Sequence, residues 1–243
     1  MGISRLLAPI LLLWVAAPAA PAPLATPTEA PPGAVEARYE VYKAGIRIVT
    51  MTETFTRKGD HYALESVSDA VGLLALIKAE TIHVTSSGLV TPQGLRPERY
   101  ASVRKLDSDR NTRADFDWGT HHVTLTYRGG THSEPLAAGT QDRLSAMYQM
   151  MFLPLQDMHV LKLFMYNNGT RVDDYTFEIA RDRTVSVPLG TFPALYLSTL
   201  PEPDGKRTEI WVDTTRHFPY KLVVTDRDGG KFTQVLTSLK FTQ

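Results

Sequence analysis

Apolar and polar positions alternate with a period of two through most of this chain, and β-branched and aromatic side chains carry the alternation between glycine turns. Ile46, Ile48, Thr50, Thr52, Thr54 and Thr56 fall on one face of a long strand. Gly59 and Asp60 then reverse the chain into 61–68, where Tyr62 and Leu64 share a side, so the pair reads as a hairpin. Further strands are predicted at 37–42, 77–85, 98–103, 113–117, 121–127, 160–166, 171–180, 184–187, 194–199, 207–212, 220–225 and 231–241. Residues that tolerate positive φ separate them at Ser87-Gly88, Trp118-Gly119, Asn167-Asn168-Gly169, Asp204-Gly205 and Asp228-Gly229-Gly230. Successive strands joined by short turns make an antiparallel meander.

One stretch changes period. Leu144, Met147, Tyr148 and Met151 recur at helical spacing up to Pro154, Thr140 is placed to cap the helix, and Asp142 lies at its positive end. This predicts a helix over 141–152 lying on the sheet. A shorter helical turn is predicted at 70–75, where Val71, Leu73 and Leu74 come too densely for a strand with one wet face.

The ends of the chain add a compartment. Arg5 precedes an uncharged apolar run from Leu6 to Ala17, and Ala17 and Ala19 bracket a cleavage position, so residues 1–19 read as an export signal. The run is shorter than the roughly 20 residues a membrane-spanning helix needs, so no span is expected after cleavage. Residues 20–35 are rich in proline and alanine and read as a spacer, leaving 36–243 as a single β-rich domain. Cysteine is absent, which excludes disulfides, thiolate chemistry and a lipoprotein acylation site. Lys and Arg number 26, as do Asp and Glu, and removing residues 1–19 takes away only Arg5, for a net charge of −1. The two signs are interleaved, which points away from nucleic acid. The expected location is the periplasm.

Candidate chemistry is sparse. Asp107, Asp109 and Asn111 copy the opening of a calcium loop, but Thr112 stands where the bend needs glycine and Trp118 where a bidentate glutamate belongs. His121 and His122 are neighbours on a presumed strand and point to opposite faces, and the other histidines show no chelating spacing. No nucleophile motif is present, and Asp142 with Ser145 lacks a base. No metal, cofactor or catalytic residue is expected. The methionines are more informative: Met147, Met150, Met151, Met158 and Met165 fall in one short stretch with Tyr148, Phe152 and Phe164, a soft surface suited to variable apolar ligands.

Five separate pieces of the chain resemble a family of exported bacterial proteins known only as a domain of unknown function. They are Tyr39 to Gly45, Ser87 to Tyr100, Phe116-Asp117-Trp118, Gly139 to Ser145, and Trp211 to Lys221. The resemblance implies an exported β-rich domain with no assigned reaction. The last piece is also similar to the closing strands of periplasmic lipoprotein carriers, whose curved sheet wraps an apolar cavity under helices; this is a likeness of fold.

The resulting expectation is a mainly β protein: a strongly curved antiparallel sheet or partly closed barrel with one helix on its concave face. Its expected role is non-catalytic, as a periplasmic binding or chaperone-like module for an apolar, lipid-like or amphipathic envelope molecule. Met147, Tyr148, Met151, Phe164 and Trp118 are the expected ligand-binding residues. The alternatives are a hydrolase of cell-envelope or glycan material, which needs Asp142, Ser145 and a histidine to converge, and a structural or protein-docking envelope factor.

Overall fold

A computed structural model describes residues 31–166 and 171–243; the expected export signal, most of the expected spacer and the turn expected at Asn167-Asn168-Gly169 lie outside the described residues. In chain order the elements are β1 (Ala34–Lys43), β2 (Ile46–Lys58), β3 (His61–Ala70), α1 (Gly72–Ile77), β4 (Thr81–Thr91), β5 (Gly94–Arg104), β6 (Thr112–Asp117), β7 (His122–Tyr127) and β8 (Gly130–Pro135). There follow β9 (Gln141–Asp142), α2 (Arg143–Gln149), β10 (Val160–Tyr166), β11 (Val172–Val187), β12 (Gly190–Thr199), β13 (Arg207–Asp213), β14 (Pro219–Thr225) and β15 (Lys231–Thr242).

All fifteen strands form one sheet, in the order β8-β7-β6-β5-β4-β3-β2-β1-β15-β14-β13-β12-β11-β10-β9. The first and last long strands pair at its centre, and two meander wings extend from them. Pairing is antiparallel throughout except between β9 and β10. The sheet is not closed by hydrogen bonds, but its wings curl toward each other. Tyr166 of β10 meets Tyr100 of β5 edge to face at 5.5 Å, and α2 with β9 spans the gap between wings.

The concave face is set by alternation. Val35, Ala37 and Tyr39 point inward from β1, Phe55 from β2, and Tyr62, Leu64 and Ser66 from β3. On β2 the inward set is thus the odd-numbered one, opposite to the Ile/Thr face that is most conspicuous in the sequence. Tyr148 of α2 fills the centre: it is fully buried, with Phe55 stacked at 5.7 Å and Phe218 edge-on at 5.5 Å. Burial of aromatic rings of this size supplies several kcal/mol each and holds the helix onto both wings.

Local departures from expectation have physical causes. The cap of α2 is Asp142, not Thr140: its carboxylate accepts from the Leu144 and Ser145 N–H groups, and Ser145 Oγ accepts from the Asp142 N–H. The helix runs to Gln149 and tightens into a 3₁₀ turn at Met150–Phe152. The helical turn after β3 covers Gly72–Ile77, so the strand expected from residue 77 begins at Thr81. Ser87-Gly88 is no turn but lies within β4 opposite a bulge in β5, where Glu98 is the extra residue, and a Cβ on Gly88 would stand 2.2 Å from the Arg96 carbonyl oxygen. The segments 171–180 and 184–187 are one strand bulged between Ala180 and Arg183, β8 was not anticipated, and β1 begins inside the expected spacer, at Ala34.

Candidate functional site

Strand register brings one group of side chains to the end of the concave face. Val49 pairs with Ala70, Ser68 with Ile82, and Ile82 with Arg104, so all five share the inner face where β2 to β5 terminate beside α1. With Leu74, Lys78, Glu80 and Arg110 they enclose a cleft of about 200 Å³. An engineered apolar void of roughly 150 Å³ is enough to admit benzene, so this space suits a short stretch of alkyl chain.

The geometry of the β3–β4 connection explains why it opens here. Gly72 has a φ of 61°, a left-handed turn that sends the chain off the strand, and the N–H of Val71 donates to the Ile48 carbonyl. The Ala70 N–H takes the Glu80 carbonyl, so 71–79 form a closed flap whose helix lies over the end of β2. None of the residues of α1 is fully buried.

The rim of the cleft is charged. Lys78 Nζ lies 3.0 Å from Glu80 Oε2 and 3.2 Å from Asp107 Oδ2, and Arg110 lies 3.7 Å from the same Asp107 oxygen. Glu80 Oε1 accepts from the Leu106 N–H at 3.0 Å, tying the flap to the loop after β5. That bond, with the Lys78 ammonium, holds the Glu80 carboxyl below the usual carboxylate range. Among the described residues Arg104 is in no ion pair, although its charge helps keep Glu80 ionised.

Deeper in, a polar layer crosses the otherwise apolar interior. Glu53 points inward from β2, accepting from the Tyr148 hydroxyl at 3.2 Å and the Ser66 hydroxyl at 3.3 Å. Loss of water pushes its carboxyl up to about 7, and those two bonds only partly offset the effect. Asp142 is buried too and raised to about 6 for the same reason, despite accepting from Ser86 Oγ at 2.5 Å and from the two helix N–H groups. The Tyr62 hydroxyl completes the chain to Ser86 at 3.0 Å.

The five residues expected to bind a ligand do not converge. Tyr148 and Met151 are core, Trp118 stacks on Phe116 in a separate cluster and donates its indole N–H to the Pro97 carbonyl, and Phe164 projects outward from β10, 41% exposed. Met147 borders a void of only about 10 Å³ with Tyr39, Glu53 and Leu222, room for one water at most. The methionine face of α2 therefore plugs the barrel at this level, because the wings curl tightly enough for side chains from both to meet the helix. Asp142 and Ser145 come together as a buried capping box. The described contacts of His83, His122 and His217 go elsewhere, to Glu65 and to the carbonyls of Thr120 and Leu153. Among the described residues no group of three or more His, Asp or Glu is placed to hold a metal ion, and Asp107 is engaged by Lys78 and Arg110. Lys78, Arg104 and Arg110 were not foreseen as site residues; the only signal was the unbroken apolar density of Leu73 to Ile77, which lacks the polar face of an ordinary surface helix.

Taken together, these features define an open, barrel-like antiparallel β-protein, with one helix packed into its interior and a cleft at its α1 end. The chain belongs to the DUF3108 family, described as proteins of unknown function, whose profile matches residues 38–237. It is similar in fold to a β-barrel-like protein of the DUF1849 family from Brucella abortus, with 10% identity, a TM-score of 0.54, and coverage of 86% of this chain and 98% of that one. A Bacteroides fragilis protein described as exported, with a YmcC-like fold, aligns at 10% identity and a TM-score of 0.33 over 89% of this chain and 99% of that one. No curated protein matches the chain. Among the described residues no helix is long and apolar enough to cross a membrane.

Proposed function

We propose that this protein is a non-catalytic binding module of the bacterial periplasm, which holds the apolar end of an amphipathic envelope molecule in the cleft beside α1. The observation that carries the reading is the cleft itself: an apolar floor of Val49, Ala70, Leu74 and Ile82 under a charged rim on which Lys78, Arg104 and Arg110 outnumber Glu80 and Asp107. Such a site matches a short alkyl segment bearing an anionic head. Catalysis has no comparable support, because the carboxylate and hydroxyl that a hydrolase would recruit, Asp142 and Ser145, are consumed in capping α2 within the core.

The test is uptake of decanoate from solution, followed by titration calorimetry and native mass spectrometry. Saturable one-to-one binding by the wild type, lost in Ala70→Trp, where an indole fills the cleft, is the expected result. Absence of saturable uptake, or equal uptake by Ala70→Trp, overturns the proposal.

A further inference from the structure

The distribution of exposed apolar side chains is lopsided. Strand directions place the loops 43–47, 71–80, 105–111 and 200–206 at one end of the sheet, the end at which the cleft opens. Ile46, Leu73, Leu76, Ile77, Leu106 and Leu200 all stand on these loops and are exposed, Leu76 at 83% and Ile77 at 85%. Among the described residues the turns of the opposite end offer one large exposed aliphatic, Leu189 between β11 and β12. Isolated apolar residues on a surface need no explanation, but a set gathered on one rim marks a contact surface.

Charge says what the contact is with. The three loops around the cleft carry five cations (Lys43, Arg47, Lys78, Lys105 and Arg110) against three carboxylates (Glu80, Asp107 and Asp109), and Arg104 lies just inside; the 200–206 loop, with Glu202 and Asp204 against Lys206, does not share the excess, so the positive charge is concentrated on the cleft side of the rim. Apolar tips projecting beyond a ring of Lys and Arg are the arrangement by which a surface enters the interface of an anionic bilayer: the aliphatic groups reach the acyl boundary while the cations stay at headgroup level. A protein partner would instead be expected to meet an apolar centre depleted in charge.

From this rim we infer that the α1 end is a membrane-docking surface, which seats the protein on an anionic lipid bilayer with its cleft facing the acyl chains. The inference rests on the proposed function for what enters the cleft, but not for the docking itself. Because α1 and Leu106 ring the opening, docking places the mouth against the bilayer, and an alkyl tail passes from lipid to cleft without crossing water.

The chain contains no cysteine, so a single introduced one takes an environment-sensitive fluorophore at a chosen place. Ile77→Cys and, as the control at the far end, Leu189→Cys are labelled with nitrobenzoxadiazole and mixed with vesicles of phosphatidylglycerol and phosphatidylethanolamine, or of phosphatidylcholine alone. The expected result is a blue-shifted, several-fold brighter signal at 77 with the anionic vesicles, none at 189, and about tenfold weaker binding to phosphatidylcholine or at 0.5 M salt. No change at 77, an equal change at both positions, or a change at 77 that follows protein concentration without vesicles overturns docking; the last outcome identifies self-association instead. Leu76→Ser/Ile77→Ser, both at exposed positions that leave the core intact, is expected to lose vesicle sedimentation and keep decanoate uptake. Vesicle sedimentation kept by the double variant refutes the membrane surface; in the wild type, uptake without docking refutes the membrane surface alone, and docking without uptake refutes the cleft alone.

Discussion

Replacing Glu53 by Gln should make the protein more stable at pH 8, although the change removes a charged partner from two buried hydrogen bonds. The Glu53 carboxyl ionises near 4.5 in an unfolded chain and near 7 in the fold, because burial among Tyr39, Tyr148, Ser66 and Met147 penalises the anion. A raised folded-state value means that the native protein holds the proton more tightly than the unfolded chain does. The resulting stability is fully present below about pH 4.5, declines as pH rises, and is gone above about 7. A separation of about 2.5 units corresponds to roughly 3 kcal/mol. Gln cannot ionise, so the variant escapes that loss, while its amide forms weaker bonds with the Tyr148 and Ser66 hydroxyls at a cost of about 1 kcal/mol. The expected balance is a gain of about 2 kcal/mol at pH 8, or roughly 4–8 °C in Tm for a domain of this size, and a loss of about 1 kcal/mol at pH 4.5.

The assay is urea unfolding followed by circular dichroism at pH 4.5, 6 and 8. The quantity to read is the difference between variant and wild type, since other groups titrate in both. Asp142, raised to about 6, adds a slope of the same sense. His217 adds the opposite one: burial holds its imidazole below 6.5, so stability falls as pH drops through that range. A difference that keeps one sign and one size at all three pH values would refute the reasoning, for it would mean that Glu53 is hydrated or paired in the native state.

The remaining expectations concern packing and local geometry. Tyr148→Ala should cost about 4 kcal/mol, read by the same unfolding assay, because it empties the space between Phe55 and Phe218. Phe164→Ser, on an outward and half-exposed position, should change stability by under about 0.5 kcal/mol and leave decanoate uptake untouched. Gly88→Ala should destabilise by about 2 kcal/mol or more, since a methyl there meets backbone of β5 at three atoms within 2.9 Å. Asp142→Ala should cost about 1–2 kcal/mol at pH 4.5 through loss of the helix cap, with Asp142→Asn recovering most of it.

Much of this architecture was legible in the sequence. Alternation identifies strands because each has one wet face, and Leu144, Met147 and Tyr148, with Met151 in the 3₁₀ turn that follows, identify α2 because they recur with a 3.6 period. Other features were hidden for specific reasons. β8, Gly-Thr-His-Ser-Glu-Pro, is an edge strand with no apolar side, so no pattern announces it. Gly88 looks like a turn because glycine serves two needs, positive φ and close approach, and only the partner strand tells them apart. On β2, Glu53 sits in the buried register between threonines, and alternation alone does not say that its face is the inner one. Periodicity also says which residues face inward but not whether the opposite wall reaches them. Tyr148 meets Phe55 and Phe218 only because both wings curl onto α2, and that contact decides that the methionines plug the interior instead of roofing a hollow.

The plug limits what the mouth can hold. With α2 filling the centre and Glu53 lying beneath, a ligand reaches no deeper than the 200 Å³ beside α1. If a methylene takes about the volume of a water, ~30 Å³, that is room for roughly six of them. At about 0.8 kcal/mol per methylene, burial supplies about 5 kcal/mol, which the loss of translational and rotational freedom on binding largely cancels. An isolated cleft of this size is thus a weak site, in the millimolar range, unless the cations at its rim engage the head of the same molecule. Against a bilayer the arithmetic changes, because the rest of the acyl chain stays in lipid and the local lipid concentration is high. A shallow mouth therefore makes physical sense chiefly on a protein that works at the membrane surface. Decanoate, whose carboxylate meets the rim cations, should bind weakly but saturably in free solution, whereas occupancy by longer-chain lipid should rise steeply once the rim of Leu73, Leu76 and Ile77 is seated. Tight, vesicle-independent retention of a long-chain lipid would show that the interior opens far more than its packing around Tyr148 allows.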